Sequence, residues 1–262
     1  MSEASTYQDL RGHLATLRLA AAAEALPAAL EAARADGLSH TAFLERLLKV
    51  EVDATIARRQ ASLARFACLP SPWRIADFDF DAQPAVDRKL VEELASLRFL
   101  EDATNVLLIG PPGVGKTMLA VGLAWAAVEE GYRVHYTTAA DLAARCHKAA
   151  LEGRWASVMR FYAGPRLLVI DEVGYQPLAG EAGAALFQVI TQRYLKGSIA
   201  LTTNLGIGAW GKIFDDPMVA AAMLDRLLHR SVPIHIDGES YRLRAHRARA
   251  QRLSGKGAAG GS

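Results

Sequence analysis

Cysteine is nearly absent: two residues in 262, Cys68 and Cys146, far apart and without CxxC spacing. That excludes a disulfide framework and a cysteine-rich zinc module, and fits reduced thiols in the cytoplasm. The seven histidines are scattered without HExxH or comparable metal-ligand spacing, so a zinc hydrolase is not expected. No apolar run approaches the roughly 18 residues of a membrane span, and the polar, acid-bearing first ten residues lack the apolar core of an export signal. The chain is therefore expected to be cytoplasmic, with no membrane partner. Neither sign of charge dominates, with 30 basic against 28 acidic residues and a net charge of +2. This balance neither demands nor excludes nucleic acid, although arginine is concentrated between Arg242 and Arg252. What is abundant is alanine within a 51% hydrophobic, 22% charged composition, which favours helix and close packing.

The chain divides by pattern. Residues 1–70 read as a small helical domain: Leu10, Leu14 and Leu17 recur at helical spacing, and Phe43, Leu44, Leu47, Leu48 and Val50 form a second stripe. Pro27 and Asp36-Gly37 punctuate it, and Ser39 is placed to cap the following helix. Leu69-Pro70-Ser71-Pro72 stops helix formation and reads as a linker. Within 71–250, Asp77-Phe78-Asp79-Phe80 is expected to be extended and residues 85–97 helical. Beyond Asn105, β-rich runs at 106–109, 134–137, 167–170, 199–202 and 232–236 alternate with helical stretches, which implies βαβ units and a mostly parallel sheet. Residues 251–262 are low-complexity and expected to be disordered.

The sharpest motif is Gly110-Pro111-Pro112-Gly113-Val114-Gly115-Lys116-Thr117, which fits G-x-x-x-x-G-K-[ST] directly after an apolar run and before a helix beginning near Met118. Such a loop curls its amides around phosphates, and the helix behind it presents its positive end to the same anions. Lys116 is expected to reach the β- and γ-phosphates of ATP, and the Thr117 hydroxyl to bind Mg²⁺. A second run, Leu167-Leu168-Val169-Ile170-Asp171-Glu172, ends a buried strand in two acids, where α/β sheets place their ligands. Asp171 is placed to hold the metal, and Glu172 to polarise an attacking water. A third strand ends in Asn204, which either orients water or γ-phosphate or is ordinary turn chemistry. Arg226 and Arg242 follow; each is either a surface charge or an arginine that completes a site.

These segments resemble the AAA+ ATPases of the helicase-loader and transposition-helper type, and within them the IstB-like helper ATPases of insertion sequences. The likeness rests on NVLLIGPPGVGKT (Asn105 to Thr117), LLVIDEVGYQPL (Leu167 to Leu178), LFQVITQRYLKGSIALTTN (Leu186 to Asn204) and the tract from Trp210 to Arg244. It implies a three-layer α/β P-loop fold with a five-stranded parallel sheet in the order 5-1-4-3-2 and a reduced lid. It further implies that Asn204 is the sensor-1 residue, Arg226 an arginine finger acting on a neighbouring copy, and Arg242 the sensor-2 residue. Family members assemble on DNA as ATP-bound multimers and assist a transposase. The alternative within the resemblance is a DnaC-like replicative helicase loader.

Candidate contacts to double-stranded DNA, without sequence specificity, are Arg58, Arg59 and Arg65; Arg145, His147, Lys148, Arg154 and Arg160; and the arginine tail after Tyr241. Any one of them is equally well a solvated surface charge.

Overall fold

The computed structural model describes residues 3–175, 181–212, 214, 216–241 and 243. The chain forms two compact units, Met1–Ser62 and Leu63–Ser262.

The first unit contains α1 (Glu3–Thr16), α2 (Ala20–Asp36) and most of α3 (His40–Ala67). Leu14, Ala22, Leu26 and Leu47 form its small core. Pro27 does not break the chain as its type suggests: it lies inside α2, which ends instead at Gly37 in a left-handed C-cap. Ser39 accepts the Ala42 N–H at 3.2 Å at the start of α3. Glu51, buried on α3, accepts the Ala22 amide at 3.0 Å and pairs with Arg58 at 2.6 Å. Those bonds, the backbone one foremost, hold its carboxyl below the usual range.

The second unit is a three-layer α/β structure. Its strands are β1 (Asn105–Ile109), β2 (Val134–Thr138), β3 (Leu167–Val173), β4 (Ser198–Thr203) and β5 (Ser231–His235). All pair in parallel, in the order β2-β3-β4-β1-β5. The middles of the central strands, 106–109, 167–170 and 199–201, are apolar because both faces are covered. Val106, Leu108, Leu167, Val169 and Ala200 face one core, shared with α4 (Arg88–Ala95) and α6 (Lys116–Glu129). Leu107, Ile109, Leu168, Ile170, Ile199 and Leu201 face the other. That second face is covered by α7 (Ala139–Leu151), α8 (Trp155–Ala163), α9 (Glu181–Arg193) and α10 (Pro217–Leu228).

Two local expectations are corrected. Residues 77–80 form no strand: a 3-10 turn covers Ile75–Asp77, with the Asp77 carboxylate accepting the Arg74 N–H at 2.8 Å, and Phe78 after it is extended at φ −78° and ψ 123°. A side chain that closes a turn on the backbone in this way competes with extended pairing. The helix expected over 85–97 is shorter: it is α4, capped by Asp87, and beyond it the short α5 (Arg98–Glu101) begins after Leu97 turns left-handed at φ 63°.

Parallel pairing brings the C-terminal ends of β1, β3 and β4 to one edge, where the loop after β1 and the acids near the end of β3 meet.

Candidate nucleotide site

The loop between β1 and α6 holds Gly110 through Gly115. Lys116 opens α6, and the cap residue before it, Gly115, has φ 103° and offers the first amides no side-chain acceptor. A helix start without a side-chain cap is where an anion binds. Lys116 is 4% exposed, and its ammonium donates to the carbonyls of Gly110 and Pro111, both at 2.7 Å. Val114 is fully buried and Met118 half-buried against the core, while Pro111 and Pro112 are exposed.

The loop glycines answer to protein as well as to ligand. At Gly113, φ 84°, a Cβ would stand 2.2 Å from Ser240 Oγ; at Gly115 it would stand 2.6 Å from the Phe78 ring. The chain after β5 folds back over the loop: Ile236 donates to the Ile109 carbonyl at 2.8 Å and Tyr241 to the Gly113 carbonyl at 2.9 Å. Tyr241 Oη in turn donates to the Asp79 carbonyl at 2.6 Å. Phe78, Ser240 and Tyr241 were not singled out from sequence. For Ser240 and Tyr241 the signal was the string from Asp237 to Tyr241, whose glycine and aromatic have no periodic role.

At the end of β3 the register shifts between Ile170 and Val173, so Asp171 and Glu172 together oppose Thr202 of β4. This bulge turns Asp171 inward, 2% exposed, and leaves Glu172 exposed with φ 62°. A left-handed glutamate is uncommon and costs about 1–3 kcal/mol, a strain found mostly at functional positions. Asp171 Oδ1 accepts the Thr117 hydroxyl at 3.0 Å and also the Thr202 hydroxyl; Oδ2 accepts the Tyr136 hydroxyl at 2.7 Å. Burial, then the bond to Asp171, raises the Tyr136 phenol well above its ordinary value, so it stays protonated and donating.

Asn204 ends β4 beside this network. Its Oδ1 is buried and has no hydrogen-bond partner among the described residues. In a folded protein such an orphan marks a strained site or one awaiting a ligand. The residues therefore fit a nucleotide with a divalent cation: a phosphate-ready loop and helix end, a buried ammonium, a hydroxyl and carboxylate 3.0 Å apart, and an unpaired amide oxygen.

Lys116, Thr117, Asp171, Glu172 and Asn204 are thus brought to one edge. Arg226 is not. It lies in the last turn of α10, its side chain bonded to the Ala222 carbonyl at 2.8 Å and lying over the Phe187 ring at 5.0 Å. There it lines a small cavity with Asn105, Arg193 and Ile199, at the opposite ends of the strands. Arg242 lies outside the described residues, as does the arginine tail that follows it.

Fold and site together define a protein with the α/β fold of P-loop NTPases. Solved structures agree on the fold: DnaI (TM-score 0.55, 15% identity, covering 63% of this chain and 91% of that one) and AMPPCP-bound DnaA from Aquifex aeolicus (0.53, 20%, 64% and 51%). The DnaC helicase loader follows at TM-score 0.50 and 21% identity, covering 56% of this chain and 86% of that one.

The chain belongs to the IstB-like ATP binding protein family, whose model matches residues 12–250. A protein of Geobacillus stearothermophilus named for insertion sequence IS5376 and for ATP binding is 41% identical over 236 residues, 90% of this chain and 94% of its own length. One of Pseudomonas aeruginosa named for insertion sequence IS21 and for ATP binding is 42% identical over 218 residues, 83% of this chain and 82% of its own.

Proposed function

We propose that this chain is a Mg²⁺-dependent ATPase that assembles on duplex DNA and assists the transposase of an insertion sequence. The observation that carries the ATPase reading is the pairing of Thr117 with Asp171 at 3.0 Å beside the buried Lys116. Bound Mg²⁺ supplies charge neutralisation on the β- and γ-phosphate oxygens. Thr117 and Asp171 hold that ion. Lys116 exchanges its two carbonyls for phosphate oxygens, and the amides at the start of α6 bind the same group. Glu172 removes the proton of the attacking water, and Asn204 Oδ1 fixes that water or its neighbour by a hydrogen bond.

Arg226 cannot serve its own cradle from the other end of the sheet, which supports a role on the nucleotide of the next copy. The insertion-sequence relatives at 41–42% identity support the transposase reading over the loader reading.

For DNA, the supporting feature is a groove of about 300 Å³ between α7 and α8, lined by Arg145, Lys148, Arg154 and Ser157. The Arg145 guanidinium is held over the Phe161 ring at 3.8 Å, which orients the charge before any phosphate arrives. Arg58, paired with Glu51, is a weaker candidate than Arg145, as are Lys148 and Arg154, which both pair with Glu152. Phosphate contacts of this kind carry no base reading.

Light scattering of the purified chain with duplex DNA tests the proposal. ATP, or ATP with Glu172→Gln, is expected to give a large complex that ADP does not support. A protein that stays monomeric with every nucleotide and DNA combination contradicts it.

A further inference from the structure

Thr202 lies two residues before Asn204 on β4, and its hydroxyl stands between the two acids of β3. It donates to Asp171 Oδ1 and accepts the Glu172 N–H at 3.0 Å. One hydroxyl has one proton and two lone pairs, so it fills both roles at once. From the other side, Tyr136 of β2 grips Asp171 Oδ2 at 2.7 Å. The carboxylate is therefore held from the strand on each side, with both oxygens bonded and no free rotation.

We infer that Thr202 is a positioning residue for nucleotide chemistry, with Tyr136 as its counterpart. Thr202 aims Asp171 Oδ1 at the Thr117 hydroxyl and pins the bulge that turns Glu172 outward. This rests on the roles proposed above for Asp171 and Glu172. The register supports it. Ile170 pairs with Leu201 and Val173 with Thr203, so Thr202 faces two residues of β3, and its hydroxyl satisfies the amide that the bulge strips of a ladder partner. Without that hydroxyl, the Glu172 amide and one Asp171 bond are lost together, leaving the bulge free to slip. Thr202 is 1% exposed and lies against the cradle's own edge, so small movements of β4 reach both acids.

The test compares Thr202→Val, Thr202→Ser and Tyr136→Phe in the full chain. The readout is affinity for a fluorescent non-hydrolysable ATP analogue, with Mg²⁺ and with EDTA, alongside the melting temperature. Thr202→Val is expected to bind about tenfold more weakly with Mg²⁺ and unchanged in EDTA, because a hydrogen bond to a charged group is removed. Thr202→Ser restores the Mg²⁺ response, and Tyr136→Phe needs several times more Mg²⁺ for half-saturation, as roughly expected for one such bond.

A wild-type Mg²⁺ response in Thr202→Val overturns the inference. So does an equal loss in EDTA, or no rescue by serine at an unchanged melting temperature. If Thr202→Val fails to fold, Tyr136→Phe decides alone, and an unaltered Mg²⁺ requirement there overturns it. A wild-type protein that gains no affinity from Mg²⁺ contradicts the proposed metal site instead, before any variant is made.

Discussion

The two ends of the parallel sheet use buried polar groups in opposite ways. At the N-terminal ends, polar side chains are spent on backbone. Asn105 donates to the Leu227 carbonyl at 3.0 Å and accepts the Ile199 amide at 2.9 Å. Arg193, 1% exposed, donates to the carbonyls of Tyr162, Ala163, Pro165, Arg166 and Ser198, with no carboxylate among its partners. Burial lowers its basicity, and the ring of carbonyls is what keeps the charge tolerable. Only its Nε is left without a partner. At the C-terminal ends the side chains bond chiefly to one another, one residue is strained and one amide oxygen is unpaired. The first arrangement fixes the fold; the second is a set of groups that a ligand can rearrange.

That contrast makes separable predictions. The largest effect is expected from Glu172→Gln, which should lower steady-state ATP turnover by about 10²–10⁴ while leaving nucleotide affinity intact. Near-normal turnover in that variant would remove Glu172 as the base. Arg193→Met, at the other end, should cost at least about 3 kcal/mol in urea unfolding because several buried carbonyls lose their donor. A loss below about 1 kcal/mol would mean water replaces the guanidinium and the end is less closed than it looks.

Asn204→Ala is the converse: turnover down about tenfold, with melting temperature unchanged, because its Oδ1 has no partner to lose among the described residues. Equal damage to stability would place Asn204 with the structural residues.

The smallest effect concerns His135, buried beside Phe66 and Phe161, with Nδ1 3.1 Å from the Phe66 carbonyl. Burial lowers its pKa from the ordinary 6.5, Arg145 and Arg133 adding to this and the Phe66 carbonyl opposing it. The unfolded chain then binds the extra proton, so stability is lost as pH falls below about 6.5. His135→Phe should show a smaller drop in melting temperature between pH 7.5 and 5.5 than the parent. Equal slopes would assign the acid sensitivity to other groups.

The sequence was most legible where chemistry is contiguous. The loop from Gly110 to Thr117 and the acids near the end of β3 are short strings whose order alone brings them to a strand end. The strand order came from resemblance rather than from periodicity, because alternation of strands and helices does not say which strands are neighbours. Tyr136 and Thr202 stayed hidden for that reason. Each reaches Asp171 only through pairing of β2 and β4 with β3, and the bulge opposite Thr202 leaves no mark in the string Val169 to Gly174. Phe78 was visible in a segment read as extended, but its approach to Gly115 depends on the turn that the Asp77 carboxylate closes just before it. Pro27 was taken as a break because proline lacks an N–H, yet a helix already committed to a core through Ala22 and Leu26 carries it.

Arg226 ties the two ends together, since it sits at the structural end yet is proposed to act at the catalytic end of another copy. The most direct measurement mixes Lys116→Ala, which lacks a working cradle but keeps Arg226, with Arg226→Ala, which keeps the cradle, and follows ATP turnover on duplex DNA. Each variant alone should be nearly inactive, and the mixture should regain a substantial fraction of wild-type turnover as mixed interfaces form. A mixture no more active than its parts, with co-assembly shown by light scattering, would contradict a site completed by the neighbouring chain.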